Sequence, residues 1–425
     1  MGAAFRGCPF FIGAAPGTAY LCAIRFLIAR QITPFTGAGM SVFSRLAALG
    51  PLAMGPLALI LSACGEAPAP AAPEAAAPGA VTGVSLELVT SAEQPWGMAF
   101  LPDGGLLFTE KEGGLKFFAA GGTAAPVSGL PEAYIAGQAG YLGLALDPAF
   151  ESNRMVYVAL STGDDAANST AVFRGRLSED NTALENPEQI FKADDRDTAY
   201  HYGARLVFGG DGTLFVSLGE GFKYMADAQN PKNTHGTIVR INSDGSIPAD
   251  NPFADGANGM PEVWSYGHRN VQGLYFDAAT DTLWATEHGP RGGDELNIVK
   301  PGVNYGWPVI TYGVNYDGTV ITKETEAEGM AQPETYWVPS IAPAGLTMVT
   351  SDKYPGWEGD LFSGGMNGPA GLVLVRIDLE DGKVAGKENL LKDEMSIRDV
   401  ALAPDGYLYV ANKDFDGIFR VVPQF

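Results

Sequence analysis

The stretch ARLVFGGDGTLFVSLGE, residues 204–220, alternates apolar and small side chains on both sides of an Asp-Gly turn. Period-two alternation flanking a turn is a β-hairpin signature, and Asp-Gly supplies the positive φ that tight hairpins need. Working outward, the same phrase recurs as WGMAFLPDGGLLFTE from Trp96, YLGLALDPAFESNRMVYVAL from Tyr141 and VQGLYFDAATDTLWATEH from Val271. It returns as AGLTMVTSDKYPGWEGDLFSG from Ala344 and IRDVALAPDGYLYVANK from Ile397. Successive copies start about 45 to about 75 residues apart, against about 40–50 for a four-stranded propeller blade, so the longer copies carry insertions. Such units cannot bury their own faces alone, and radial stacking is the simplest way to cover them. The sequence therefore predicts an all-β six-bladed β-propeller over residues 84–425, its ring closed by pairing SLELV (Ser85 to Val89) with GIFRVV (Gly417 to Val422). A pair of β-sandwiches would leave six copies of one phrase unexplained.

The composition agrees. In 425 residues, 46% are hydrophobic and 18% charged, enough to bury a core, while 55 glycines and 29 prolines favour short strands joined by turns. A net charge of -22 argues against partners that work through phosphate neutralisation, whether nucleic acid or an anionic lipid surface.

The N-terminus reads as an address. Residues 1–63 comprise an upstream extension and, from Met40, a secretory signal: Arg45 supplies the positive n-region, and the apolar stretch Leu46 to Leu61 is short and broken by Gly50, Pro51, Gly55 and Pro56. Leu61, Ser62, Ala63 and Cys64 resemble a bacterial lipobox, which makes Cys64 the expected lipidation site; an ordinary signal peptide is the alternative. Cys8 and Cys22 precede Met40, so Cys64 is the sole cysteine of the processed chain and no internal disulfide is expected. Residues 64–83 form an Ala/Pro-rich tether without apolar periodicity. Four basic residues and no acidic one precede Cys64, so processing takes the 27 basic residues to 23 against 49 acidic ones.

Chemistry is expected in the segments between hairpins. His201 opens HYGARLVF and is a candidate general base, since its reference pKa lies near working pH; taken alone it reads more readily as a hydrogen-bonded structural histidine. His268 and Arg269 fall in SYGHRNVQGL, where Arg269 has a fork of donors for an anionic or quinonoid oxygen or, alternatively, for a loop salt bridge. His288 sits in TEHGPRGGDELN, whose bent glycines expose carbonyls beside Asp294 and Glu295. Oxygen-rich segments of this kind suit calcium more than zinc, with a solvated acidic turn as the alternative. His235, in NTHGTIVRIN, has no charged constellation and reads as structural.

Taken in order, HYGARLVFGGDGTLFVSLGE, WSYGHRNVQGL and ATEHGPRGGDELNIVKPGVNYGWPVITYG resemble the pyrroloquinoline quinone (PQQ)-dependent soluble sugar dehydrogenases, most nearly the aldose sugar dehydrogenase branch. GQAGYLGLALDPAF and WVPSIAPAGLTM extend the resemblance over the whole propeller. It implies that His201 is the base for the sugar's anomeric hydroxyl, and that Arg269 and Asn270 bind PQQ, with Arg269 stabilising the oxygen that becomes negative on reduction. It further implies that Gln138 lies near cofactor or substrate and that the carbonyls of Gly289 and Pro290 ligate a calcium ion holding PQQ. Glu295, Tyr305 and the backbone near Thr311 match a second, structural calcium site.

Two positions depart from the resemblance. Asn367 stands where a lysine is expected, and Ser396 replaces the first of two arginines, leaving Arg398 alone to meet PQQ's carboxylates. Arg291, Lys413 and Arg205 are the cations available to compensate. The expected activity is oxidation of aldoses to lactones with PQQ and Ca2+ by an exported, lipid-tethered protein. Electrons would pass to an external quinone or cytochrome, since the chain has no haem, flavin or iron–sulfur motif. The competing readings are a non-catalytic calcium-stabilised propeller that binds carbohydrate or protein, and a calcium-dependent lactone hydrolase.

Overall fold

The computed structural model describes residues 79–367, 371–413 and 417–425, all within one compact unit. The signal segment and Cys64 lie outside the described residues. Among the described residues, twenty-four strands form six four-stranded antiparallel sheets. From the axis outward, blade one is Pro95–Phe100, Leu106–Glu110, Gly114–Phe118 and Ala125–Val127. Blade two is Tyr141–Leu146, Met155–Gly163, Asn168–Leu177 and Leu184–Lys192. Blade three is Leu206–Phe208, Leu214–Ser217, Thr237–Ile241 and Val263–Tyr266. Blade four is Val271–Asp277, Thr282–Glu287, Asp294–Val299 and Thr335–Trp337. Blade five is Pro343–Met348, Leu361–Gly365, Leu374–Glu380 and Lys383–Leu390. Blade six is Ile397–Leu402, Leu408–Asn412 and Gly417–Gln424, completed by Gly83–Ser91 from the beginning of the domain.

That last pairing closes the ring. Ser85 opposes Val422 and Leu86 opposes Val421 in an antiparallel ladder, so the expected partners do meet. The Asp-Gly turns behave alike in three blades: Asp103, Asp211 and Asp405 each accept a hydrogen bond from the backbone N–H two residues on, with Gly104, Gly212 and Gly406 at positive φ.

The second strands explain why a propeller forms. Leu106–Glu110, Leu361–Gly365 and Leu408–Asn412 are buried at every position, because neighbouring blades cover both of their faces. Six apolar clusters occupy the interfaces between blades. Leu107 and Leu115 meet Val156 and Val158 between blades one and two, for example, and Tyr409 and Ile418 meet Met98 and Phe108 between blades six and one. Truncating a side chain such as Leu107 to alanine is expected to cost about 2–5 kcal/mol.

Candidate active site at the channel mouth

The innermost strands all run the same way, so their first residues gather at one end of the central channel. There Trp96, Leu142, Gly203, Gln272, Ala342 and Arg398, one from each blade or the turn entering it, line a cavity of about 350 Å³. The antiparallel second strands end at the same level. The residues that immediately follow four of them, Lys111, His288, Met366 and Lys413, also reach the wall. The longest insertion, residues 300–334 between the third and fourth strands of blade four, returns to this end and contributes Tyr316.

His201 immediately precedes the lining residues Tyr202 and Gly203 in the chain, is not itself a lining residue, and is 5% exposed. It holds a left-handed backbone at φ 52°, and Gly203 and Ala204 follow at 64° and 71°. Non-glycine residues in that region cost about 1–3 kcal/mol each and persist where surrounding contacts over-determine them. Those contacts are present: the Gln138 side chain accepts a hydrogen bond from the His201 N–H at 2.8 Å, and Arg196 donates to the His201 carbonyl at 2.9 Å. Gly219 permits the close approach, since a Cβ there would lie 2.1 Å from the His201 carbonyl oxygen.

The imidazole Nδ1 faces Glu220 Oε1 at 3.2 Å, and a proton on Nδ1 leaves Nε2 as the basic nitrogen. Burial lowers the His201 pKa; Glu220 opposes that shift, and the nearby Arg269 and Arg196 cations reinforce it. His201 is therefore neutral at pH 7, as a base must be. Glu220 and Arg196 were not singled out by the sequence. Glu220 was visible within SLGE at the end of the third hairpin copy, whereas Arg196, in DDRDTAY, gave no signal.

Arg269, 3% exposed, makes no ion pair among the described residues. Its guanidinium donates to the carbonyls of His288 at 3.0 Å and Gly289 at 2.7 Å, reaches the Tyr316 hydroxyl at 3.3 Å, and lies 5.4 Å from the Trp307 ring centre. It lines a second, much smaller cavity behind the His288–Gly289 segment, while Asn270, Gly289 and Pro290 line the main one. The Asn270 side-chain oxygen accepts from the Gly203 N–H at 3.2 Å, fastening this segment to the His201 turn.

Glu287, Glu295, Tyr305 and Thr311 also border the small cavity. Burial, reinforced by the neighbouring Glu287 charge, pushes the Glu295 carboxyl well above the usual carboxylate range. Asn297 donates to Glu287 and Glu295 at 3.1 Å each, yet among the described residues no cationic side chain pairs with Glu295. Asp294 faces elsewhere: it accepts from the backbone N–H groups of Gly289, Ile341 and Ala342 and from the Ser340 hydroxyl, clamping the glycine-rich loop to the entry of blade five. His268 is fully buried between Ser265 and Glu287 and stacked on Tyr305, and His235 stacks on Tyr224; neither reaches the main cavity.

Across the channel, Arg398 lies 5.6 Å from the Trp96 ring centre and donates to the Gln272 side chain at 2.9 Å. Burial and the adjacent Arg205 cation lower its pKa to about 9. Arg205 pairs with Asp399 at 2.6 Å and is not free to bind a ligand, while Arg291 is exposed and away from the wall. Lys413 and Lys111 do line the cavity, and no Asp or Glu does so among the described residues.

The propeller thus sets a carboxylate-held imidazole near a guanidinium, opposite a wall that carries three cations and, among the described residues, no carboxylate, an arrangement able to receive an anionic organic ligand. The chain is a member of the glucose/sorbosone dehydrogenase family, whose profile matches residues 92–421. It is 40% identical over 340 residues to the aldose sugar dehydrogenase YliI of Escherichia coli K12, covering 78% of this chain and 91% of that protein. The solved apo form of the soluble E. coli aldose sugar dehydrogenase superposes with a TM-score of 0.76 at 38% identity, over 80% of this chain and all of that one. The PQQ-bound aldose sugar dehydrogenase of Streptomyces coelicolor gives 0.68 at 28% identity, over 80% and 98%.

Proposed function

We propose that this protein oxidises aldose sugars to lactones using PQQ and calcium and passes the electrons to an external acceptor, a quinone or a cytochrome. The observation that carries this reading is the buried imidazole of His201, which is held by Glu220 and immediately precedes the lining pair Tyr202 and Gly203, beside a cavity lined by three cations and, among the described residues, no carboxylate. The cavity volume falls within the range of organic-cofactor sites, about 300–1,000 Å³. The guanidinium of Arg398, which makes no ion pair among the described residues, suits a group bearing several carboxylates. Gln138, Asn270, Arg269 and Arg398 would hold PQQ. When bound, PQQ supplies the two-electron acceptor for the C1 hydride of the sugar.

The chain's own residues do the rest. His201 Nε2 takes the proton of the anomeric hydroxyl, which leaves that oxygen doubly bonded to C1. Glu220 keeps the Nδ1 proton in place and stabilises the imidazolium as it forms. Arg269 fixes a positive charge near the site where negative charge develops, without reorganisation during the reaction.

Calcium fits two places. The carbonyls of Gly289 and Pro290 are the hard, neutral donors such an ion prefers, although Gly289 also accepts from Arg269. Glu287 and Glu295 form a buried like-charge pair that a divalent ion would neutralise, with Tyr305 and Thr311 beside it. Export by the N-terminal signal and acylation at Cys64 complete the reading, holding the propeller to a membrane by its lipid anchor alone; among the described residues no helix is long and apolar enough to cross one.

Reconstitution tests the proposal. Apo-protein supplied with PQQ and calcium should reduce an artificial dye when given aldoses, and omission of PQQ should abolish turnover. Sugar binding without PQQ-dependent turnover would favour the non-catalytic propeller.

A further inference from the structure

The departures at Asn367 and Ser396 fall on blades five and six, and the ladder of blade six shows what stands beside them. Ile397 opposes Asn412, and the Lys413 N–H donates to the Ser396 carbonyl at 3.1 Å. Lys413 is therefore the cross-strand neighbour of Ser396. Ser396 is buried, whereas the Lys413 side chain is exposed, lines the cavity and makes no ion pair among the described residues.

Lys111 occupies the equivalent position in the adjoining blade, one residue past the second strand. Its ammonium is 3.3 Å from Glu112, and its backbone is fixed by hydrogen bonds to Gln94 and Tyr141. Arg398, on the innermost strand of blade six, lines the same cavity as these two lysines. A protein of net charge -22 thus places three cations along one sector of its channel mouth and, among the described residues, no carboxylate on the wall. Solubility does not call for such an arrangement, and repulsion among the cations opposes it unless an anion is bound.

We propose that Lys413, with Arg398 and Lys111, forms a carboxylate-binding arc for the cofactor, Lys413 providing from the second strand of blade six the charge that Ser396 lacks. The proposal rests on the PQQ reading. It assigns Lys413 to binding and positioning, on the opposite side of the channel from His201. Asn367 is left outside the arc, since its side chain donates to the Ser340 carbonyl at 3.1 Å and carries no charge.

The test is a titration of PQQ into the calcium-loaded apo-protein, followed by quenching of protein fluorescence and repeated at several salt concentrations. Losing one charge-assisted contact should raise the Kd of Lys413→Gln by about tenfold or more, and it should also flatten the salt dependence. Lys413→Arg, which keeps the charge, should stay within about threefold of wild type. The melting temperature of the metal-free variant should not change, because the side chain has no ion-pair partner to lose among the described residues. A Lys413→Gln protein that binds PQQ within about twofold of wild type would overturn the arc while leaving the dehydrogenase reading intact. Wild-type protein that fails to bind PQQ at all would overturn both.

Discussion

Blades three and four face blades six and one across the channel, and the two walls present opposite chemistry. The first carries Asn270, His288, Gly289 and Pro290, with the His201 imidazole buried next to the lining pair Tyr202 and Gly203; the second carries Lys111, Arg398, Lys413 and Trp96. Separating them has a physical reason. A base must be neutral to accept a proton, and each nearby cation makes an imidazole harder to protonate. Arg269 and Arg196 already lower the His201 pKa, and Arg398 adds to the burial that lowers His288. A ligand held by cations on one side can present its reactive end to the other without placing those charges against the base. Binding and proton transfer are thus assigned to different blades and should respond separately to substitution.

The largest break in that separation should come from the base. His201→Ala is expected to lower kcat by about 10²–10⁴-fold while PQQ affinity changes little, as stopped-flow turnover and a parallel titration would show. Comparable losses in both quantities would mean that the two walls do not divide the work.

Calcium should come next. A ligand at a hundredfold excess over its Kd stabilises the folded state by about 2.7 kcal/mol, so adding calcium to chelator-treated protein should raise the melting temperature markedly. Glu295→Gln removes one of the two buried carboxylates and should abolish most of that increase, while the metal-free protein becomes no less stable. Arg398→Gln tests the opposite wall: PQQ affinity should fall by about tenfold or more, with kcat at saturating PQQ close to wild type.

These walls were unequally legible in the sequence. Gly-His-Arg-Asn and Glu-His-Gly-Pro lie on one continuous stretch, residues 267–290, so the chemistry of blade four could be read as a motif. The cationic wall is contiguous only because the ring closes, which brings Lys413 near Lys111 from the other end of the domain. A signal was nevertheless present. Aligning the copies LLFTEK, LWATEH, LFSGGM and YLYVANK puts Lys111, His288, Met366 and Lys413 in one column. The fold was more legible, because both of its signals are local: period-two alternation recurs in all six copies and an Asp-Gly turn in three of them. Arg196 was not, since its role is to hold the carbonyls of His201 and Gly219 in a turn whose left-handed backbone appears only in three dimensions.

The smallest expected effect sharpens the account of the base itself. Glu220 is a positioning residue, held 3.2 Å from Nδ1 and buried, with no Lys or Arg paired to it among the described residues. Its hydrogen bond raises the His201 pKa against burial, so Glu220→Gln should lower that pKa further. Activity depends on neutral imidazole and falls as pH drops through the His201 pKa; the acid limb of the kcat profile should therefore move to lower pH in the variant. The maximum should also fall, by roughly 10-fold as for other partners that orient a histidine, because a neutral amide stabilises the imidazolium less than a carboxylate does. A purely structural role would reduce kcat at every pH without moving the limb. A limb that moves toward higher pH would place the dominant charge interaction of His201 elsewhere in the site.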